Sequence, residues 1–177
     1  MSAPAAIGRP ERILAFRRGD RVLGIEGRYS REVTPLGSLT PVPLAPLSLL
    51  GVGNLRGSLL PVLDLAPLLG LAAPPWSLSM PVHVAAAGGI TAAIAIDEVA
   101  GFEPWPAAAP LPVDPHEPDS LRSVARGSLP FRGGRVLFLD LPAVLRLARD
   151  RFAEGDAPSA EVNPMHRMED DRPWHSP

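Results

Sequence analysis

Proline decides what this chain can fold into, since 23 of its 177 residues are proline and 16 more are glycine. A proline lacks the N–H that a helix interior or a central strand must donate, and its ring clashes with the preceding helical turn. Because the prolines are spread along the chain, long helices are excluded over most of it. Short strands broken by turns remain. Hydrophobic residues are 46% of the sequence, enough for a real core, and the length suits one domain or two small, tightly packed subdomains.

Several function classes are disfavoured at once. The chain has no cysteine, which removes disulfides, thiolate metal sites and thiol nucleophiles and fits a reducing compartment. The formal net charge is −2, so no basic surface for nucleic acid is implied. Met1 to Pro10 lacks the charged start and apolar run of a signal peptide, and is expected to be flexible. No stretch reaches the ~20 uninterrupted apolar residues of a spanning helix; the richest, Leu44 to Leu55, is interrupted by Pro46, Ser48, Gly51, Gly53 and Asn54. A soluble cytoplasmic protein that does not insert into membrane is expected.

Hairpins follow from the pattern. Ile13 to Phe16 and Val22 to Ile25 flank a Gly19-Asp20 turn, and Arg31-Glu32-Val33 continues in extended form. Thr40 to Pro46 carries alternate prolines and reads as a connector or a surface strap. Leu49 to Leu55 and Leu59 to Leu63 flank Arg56-Gly57. Asp64 then caps a short helix, Leu65 to Leu69, closed by Gly70.

The order then recurs. Val82-His83-Val84, Gly88-Gly89 and Ile90 to Ile96 repeat the first hairpin, with Asp97-Glu98-Val99 after it. Gly133 precedes Leu139-Asp140-Leu141-Pro142 much as Gly57 precedes Leu63-Asp64-Leu65. Two related halves, roughly 11–72 and 78–145, are expected. Pro104 to Pro118 reads as a loop. Leu141, Val144, Leu145, Ala148 and Phe152 fall on one helical face, predicting a closing helix over 141–152. The polar, acidic stretch 153–177 is expected to be disordered. Short strands, regular turns and two similar halves predict small antiparallel barrels.

Little of this invites catalysis. Gly51 to Gly57 lacks the third glycine of a dinucleotide loop, a helix after it, and an acidic residue ~20 positions on. Asp64 and Asp140 form a conceivable acid–base pair, but their matching places make them helix caps. His83 lies in a strand and His116 in a loop. His166 and His175, near Glu169, Asp170 and Asp171, read as a solvated tail or a loose metal site. No nucleophile elbow and no zinc-deaminase motif occurs. Arg56 stands out on an apolar hairpin. It is either a surface arginine beside a turn or a fork presented at a binding groove, and residue physics leaves both open.

Gly51-Val52-Gly53-Asn54-Leu55-Arg56-Gly57, followed by an apolar run with Pro61 and then Asp64-Leu65, resembles the signature of CheW-like domains. Gly24-Ile25, Arg31-Glu32-Val33, Ile94 to Val99 and Gly133 to Asp140 resemble further blocks of that family in the same order. The likeness covers residues 11–148, within a domain drawn as 11–152. It implies a mainly β fold of two five-stranded, SH3-like barrels with a short C-terminal helix, no enzymatic activity and no cofactor. It implies two partners, the cytoplasmic tip of a chemoreceptor and the regulatory domain of a CheA-type histidine kinase, met at membrane-associated receptor arrays. Arg56 would be the groove arginine, with Glu32, Gly51, Asn54 and Gly57 beside it. No kinase-contact residue is assigned. Ser30, the stretch Ala72 to Met80 and the acidic tail depart from the family pattern, so a module of this fold that binds only one of the two partners is the alternative.

Overall fold

The computed structural model describes residues 11–153. The expected flexible N-terminus and acidic tail lie outside these residues, as do His166 and His175. Among these residues eleven strands and three α-helices, with one turn of 3-10 helix at Gly27–Tyr29, run in the order β1 (Arg12–Arg18), β2 (Arg21–Glu26), β3 (Ser30–Pro35), β4 (Leu39–Thr40), β5 (Leu49–Leu55), β6 (Ser58–Leu63), α1 (Leu65–Leu69), β7 (Pro81–Ala87), β8 (Ile90–Ala95), β9 (Glu98–Pro104), α2 (Asp119–Val124), β10 (Ala125–Phe131), β11 (Gly134–Leu139) and α3 (Leu141–Ala153).

The strands form two curled sheets, ordered β10-β11-β2-β1-β9 and β3-β7-β8-β6-β5-β4. The two-barrel architecture expected from sequence is therefore present, with a two-residue sixth strand, β4, added to the second sheet. The assignment of one barrel to each half, 11–72 and 78–145, is not. The hairpin β1–β2 leaves its own half and pairs with β9 and, in parallel, with β11. The hairpin β7–β8 pairs with β3 and, again in parallel, with β6. Each barrel thus takes its central hairpin from one half and its flanking strands from the other. Local sequence pattern fixes hairpins, but which hairpins meet is decided by long-range pairing that a pattern does not carry.

The duplication itself is visible in the backbone. Gly51 and Gly127 sit at matching bulges, at φ of 150° and 141°. Arg56-Gly57 and Arg132-Gly133 form matching two-residue turns, with φ of 51° and 87° in the first and 44° and 78° in the second. Positive φ at both central residues is the turn that matches the right-handed twist of a hairpin.

The exchange accounts for the burial pattern. Alternate residues of β1 serve two cores: Ile13 and Ala15 pack inside the first barrel with Leu129, Val136 and Phe138. Leu14 and Phe16 face a larger core shared with Ala85, Ile94, α1, α2 and α3. The second barrel has its own interior of Leu36, Val62, Val82 and Ala93. Strands buried on both faces read as continuous apolar runs, and β1, β2, β7 and β8 do. Of the α3 face, Leu141, Val144, Leu145 and Ala148 are buried as expected, but Phe152 is 52% exposed. The proline-rich loop before α2 is pinned by a bridge between Leu111 and Ser128, and α2 itself was not legible in the sequence.

Candidate docking site

The two candidate carboxylates are caps. Asp64 accepts from the Ala66 N–H at 2.9 Å and from Nε and one terminal nitrogen of the buried Arg18. Asp140 accepts from the Ala143 N–H at 3.3 Å and from Arg126 at 2.7 Å. The hydrogen bond to Asp64, the nearby Asp64 charge and Asp97 raise the pKa of Arg18 against its desolvation. Such groups are engaged in holding helix starts, which leaves none of them poised for proton transfer.

Four of the five site residues read from sequence meet at one end of the second barrel. The two-residue turn between β5 and β6 projects Arg56, whose side chain is 73% exposed. Its two terminal nitrogens fork onto the Glu32 carboxylate of edge strand β3, at 3.1 and 2.8 Å. Asn54 Oδ1 accepts from the Gly57 N–H at 2.8 Å and so shapes the turn from inside. Gly51 lies at the far end of β5 and does not join them. A Cβ there would come within 2.4 Å of the Thr40 carbonyl, so its role is to admit β4 against the bulge.

Arg56 is held where an arginine does not rest. A non-glycine residue in the left-handed region costs roughly 1–2 kcal/mol, while an exposed ion pair returns about 0–1 kcal/mol. Glycine or asparagine would make the same turn at less cost. Local stability therefore does not account for arginine here.

Its twin sharpens the contrast. Arg132 forks onto Glu103 of β9, donates to the Ala100 carbonyl at 2.7 Å, and lies 5.6 Å from the Phe131 ring. It is a clamp between the two ends of its sheet. Among the described residues Arg56 bonds Glu32 alone, and its Nε is left over.

A groove adjoins the Arg56 hairpin. About 330 Å³ in volume, it lies between the outer face of β5–β6, the strap at Val42 and Pro46, Ile90 of β8, and Leu145, Ala148 and Phe152 of α3. Its walls are almost wholly apolar. Alternation places Leu59, Pro61 and Leu63 on one face of β6; Pro61 and Leu63 line the groove, and Leu59, 72% exposed, continues that face toward the turn. The sequence reading expected a groove at Arg56 but named for it none of the residues that line this one. Its only signal was Phe152, an aromatic at the end of a helix face whose other members are buried.

Behind β3 sits His83, fully buried, with Nε2 2.9 Å from the Ser30 hydroxyl and its ring 5.9 Å from that of Phe16. Burial lowers its pKa to about 4, so the ring is neutral at physiological pH. Ser30 opens the bulge that separates it from Glu32 in the β3–β7 register. The serine that departs from the family pattern is thus turned inward, onto the histidine.

Two exchanged barrels with an arginine hairpin beside an apolar groove define a class of small paired-barrel β domains. The chain belongs to the CheW-like domain family, whose model matches residues 12–149. It is 33% identical over 152 residues to the protein FrzA of Myxococcus xanthus, across 84% of this chain and 94% of that one. It is 30% identical over 132 residues to the chemotaxis protein CheW of Rhizobium meliloti (strain 1021), across 75% and 85%. The crystal structure of the scaffolding protein TtCheW from Thermoanaerobacter tengcongensis shares the fold, with a TM-score of 0.66 at 21% identity over 81% of this chain and 93% of that one. The family is one of chemotaxis scaffold proteins, non-catalytic in kind. No helix among the described residues is long and apolar enough to cross a membrane.

Proposed function

We propose that this chain is a chemosensory adaptor that couples the cytoplasmic tip of a methyl-accepting chemoreceptor to a CheA-type histidine kinase. The observation that carries the reading is Arg56, held in a left-handed turn at the tip of the β5–β6 hairpin that walls an apolar groove, and bonded only to Glu32 among the described residues. A receptor tip is a helical hairpin with apolar ridges and polar ends. The groove between the β5–β6 hairpin and α3 suits a ridge, and the Arg56–Glu32 pair suits the polar end, since a fork and a carboxylate can each exchange one partner for another. Family membership supports the kinase partner. No kinase-facing residue is assigned, and the adaptor would act at the cytoplasmic face of receptor arrays.

The test is a pairwise and three-way pull-down with a purified receptor tip and the kinase regulatory domain. A ternary complex supports coupling. Binding of one partner alone makes the chain a one-sided module, and binding of neither overturns the reading.

A further inference from the structure

We propose that Ser30 and His83 are positioning residues of the docking site: their hydrogen bond pins the bulge in β3 and so holds Glu32 against Arg56. The functional consequence rests on the adaptor reading; the positioning itself does not. The β3–β7 register carries the first observation. Ser30 lies opposite Ala85 and Glu32 opposite Val84, so Arg31 is the extra residue of the bulge. In a regular strand residues 30 and 32 would share a face. Here they part. Ser30 takes the face of His83 and of Ala85, a member of the shared core. Glu32 takes the face of Thr34, whose partner Val82 belongs to the interior of the second barrel, and on that face it meets Arg56. β3 ends its sheet, so the ladder with β7 holds the bulge from one side.

The second observation is what the bulge bonds. His83 Nε2 is 2.9 Å from Ser30 Oγ, and the ring is fully buried. Its Nδ1 has no hydrogen-bond partner among the described residues. An orphaned lone pair is less costly to bury than an orphaned N–H. The neutral ring therefore carries its proton on Nε2 and donates it to Ser30. An apolar side chain would fill the same place without leaving a ring nitrogen unmet. What the histidine adds is a bond that ends on the bulge of β3.

The third is the twin bulge. In the β1–β9 register Val99 lies opposite Phe16 and Gly101 opposite Ala15, with Ala100 extra. Leu14 opposes Phe102 there as His83 opposes Val33. Val99 and Leu14 thus stand where Ser30 and His83 stand, and no hydrogen bond joins their side chains.

The two arginines differ in step with this. Arg132 has the Ala100 carbonyl as well as Glu103 to hold it. Arg56 has Glu32 alone among the described residues. The polar pair occurs in the barrel whose arginine depends on a single carboxylate, and it fixes the strand that carries that carboxylate.

The absence of cysteine permits a direct test on the full chain. A single thiol placed as Glu32→Cys reports where position 32 points, because a guanidinium beside it favours the reactive thiolate. Maleimide labelling near neutral pH is timed with Arg56 native and with Arg56→Gln. In the otherwise native chain Arg56→Gln is expected to slow labelling by about two- to threefold. In Ser30→Ala and in His83→Leu that dependence on Arg56 is expected to vanish. In Ser30→Thr and His83→Gln, which keep a hydrogen-bonding group at each place, it is expected to survive. Each rate is compared with and without Arg56 in one background, so a general loss of stability does not imitate the result. Equal dependence in every background, none in any, or its loss in the two conservative variants as well overturns the proposal, whatever a receptor tip does. The docking consequence is read separately with native Glu32, where Ser30→Ala is expected to weaken binding of a purified receptor tip by about threefold or more. If the thiol responds as expected and tip binding is unchanged, the positioning stands and the Arg56–Glu32 pair is not the receptor's site.

Discussion

Arg18 of β1 reaches across the seam between the barrels and holds both carboxylate oxygens of Asp64, at 2.9 and 2.5 Å. Its third arm bonds Asp97 at 3.0 Å, and Asp97 in turn accepts from the Gly19 N–H at 2.7 Å. The arginine side chain is 1% exposed. One residue of the first barrel therefore fixes the start of α1 and the turn into β9. Replacing Arg18 by Met leaves Asp64 buried beside no cation, and loss of one partner of a buried pair costs about 3–5 kcal/mol. Urea unfolding of Arg18→Met is expected to show that loss, and the Arg18→Met, Asp64→Asn double variant to recover part of it.

Arg56 gives the opposite expectation. Arg56→Gly removes a strained arginine and an exposed ion pair whose contributions are of similar size, so stability is expected to stay level or rise by up to about 1 kcal/mol. Receptor-tip binding is expected to fall at least tenfold, and further in Arg56→Glu, where Glu32 faces a like charge. Thermal unfolding and titration calorimetry on the same samples check both halves. A variant that is less stable by several kcal/mol, or that binds as well as the parent, contradicts the account of this residue.

The buried His83 sets a pH limit on the fold. Its pKa is lowered to about 4 by burial, against about 6.5 in an unfolded chain. Above pH ~6.5 the ring is neutral in both states and there is no penalty. As pH falls from about 6.5 toward 4 the unfolded chain takes up the proton first, and stability drops by about 3 kcal/mol in total. Between pH 7 and 5, above the range of ordinary carboxylates, the decline is expected to follow this ring. His83→Gln should flatten that part of the stability–pH curve measured by denaturant unfolding.

Gly51 is expected to be irreplaceable for steric reasons alone. Its φ of 150° and the 2.4 Å separation of a built Cβ from the Thr40 carbonyl leave no room for a methyl group. Gly51→Ala should cost about 1–3 kcal/mol and loosen β4, seen as faster amide exchange at Gly53 and Leu39. It should affect receptor binding only through that loosening.

Hairpins, caps and the closing helix were legible because each is a local matter. Asp64 caps α1 and Gly70 closes it because a carboxylate and a left-handed residue suit those positions wherever the helix packs. Arg56, Asn54 and Gly57 were legible as a group because they share one turn. Glu32 joined them through resemblance alone, since nothing local says that β3 passes beside the β5–β6 turn. The groove was hidden for the same reason: its walls come from a strap, two hairpins and a helix far apart in sequence. Arg132 was within reach, as Arg-Gly recurs before the second Leu-Asp-Leu step, but its partner Glu103 again required the strand exchange.

That exchange governs how the molecule can be made. As the chain leaves the ribosome, β1 and β2 emerge early, yet their neighbours β9 and β11 are encoded near the end. The first hairpin must wait, with two apolar faces unmet, until nearly the whole domain has been synthesised. Contacts of such long separation slow folding and leave strand edges open to other chains. The prolines now gain a second meaning. Scattered through the segments made while that hairpin waits, from Pro35 to Pro104, they deny stray partners the uninterrupted ladders on which misassembly grows.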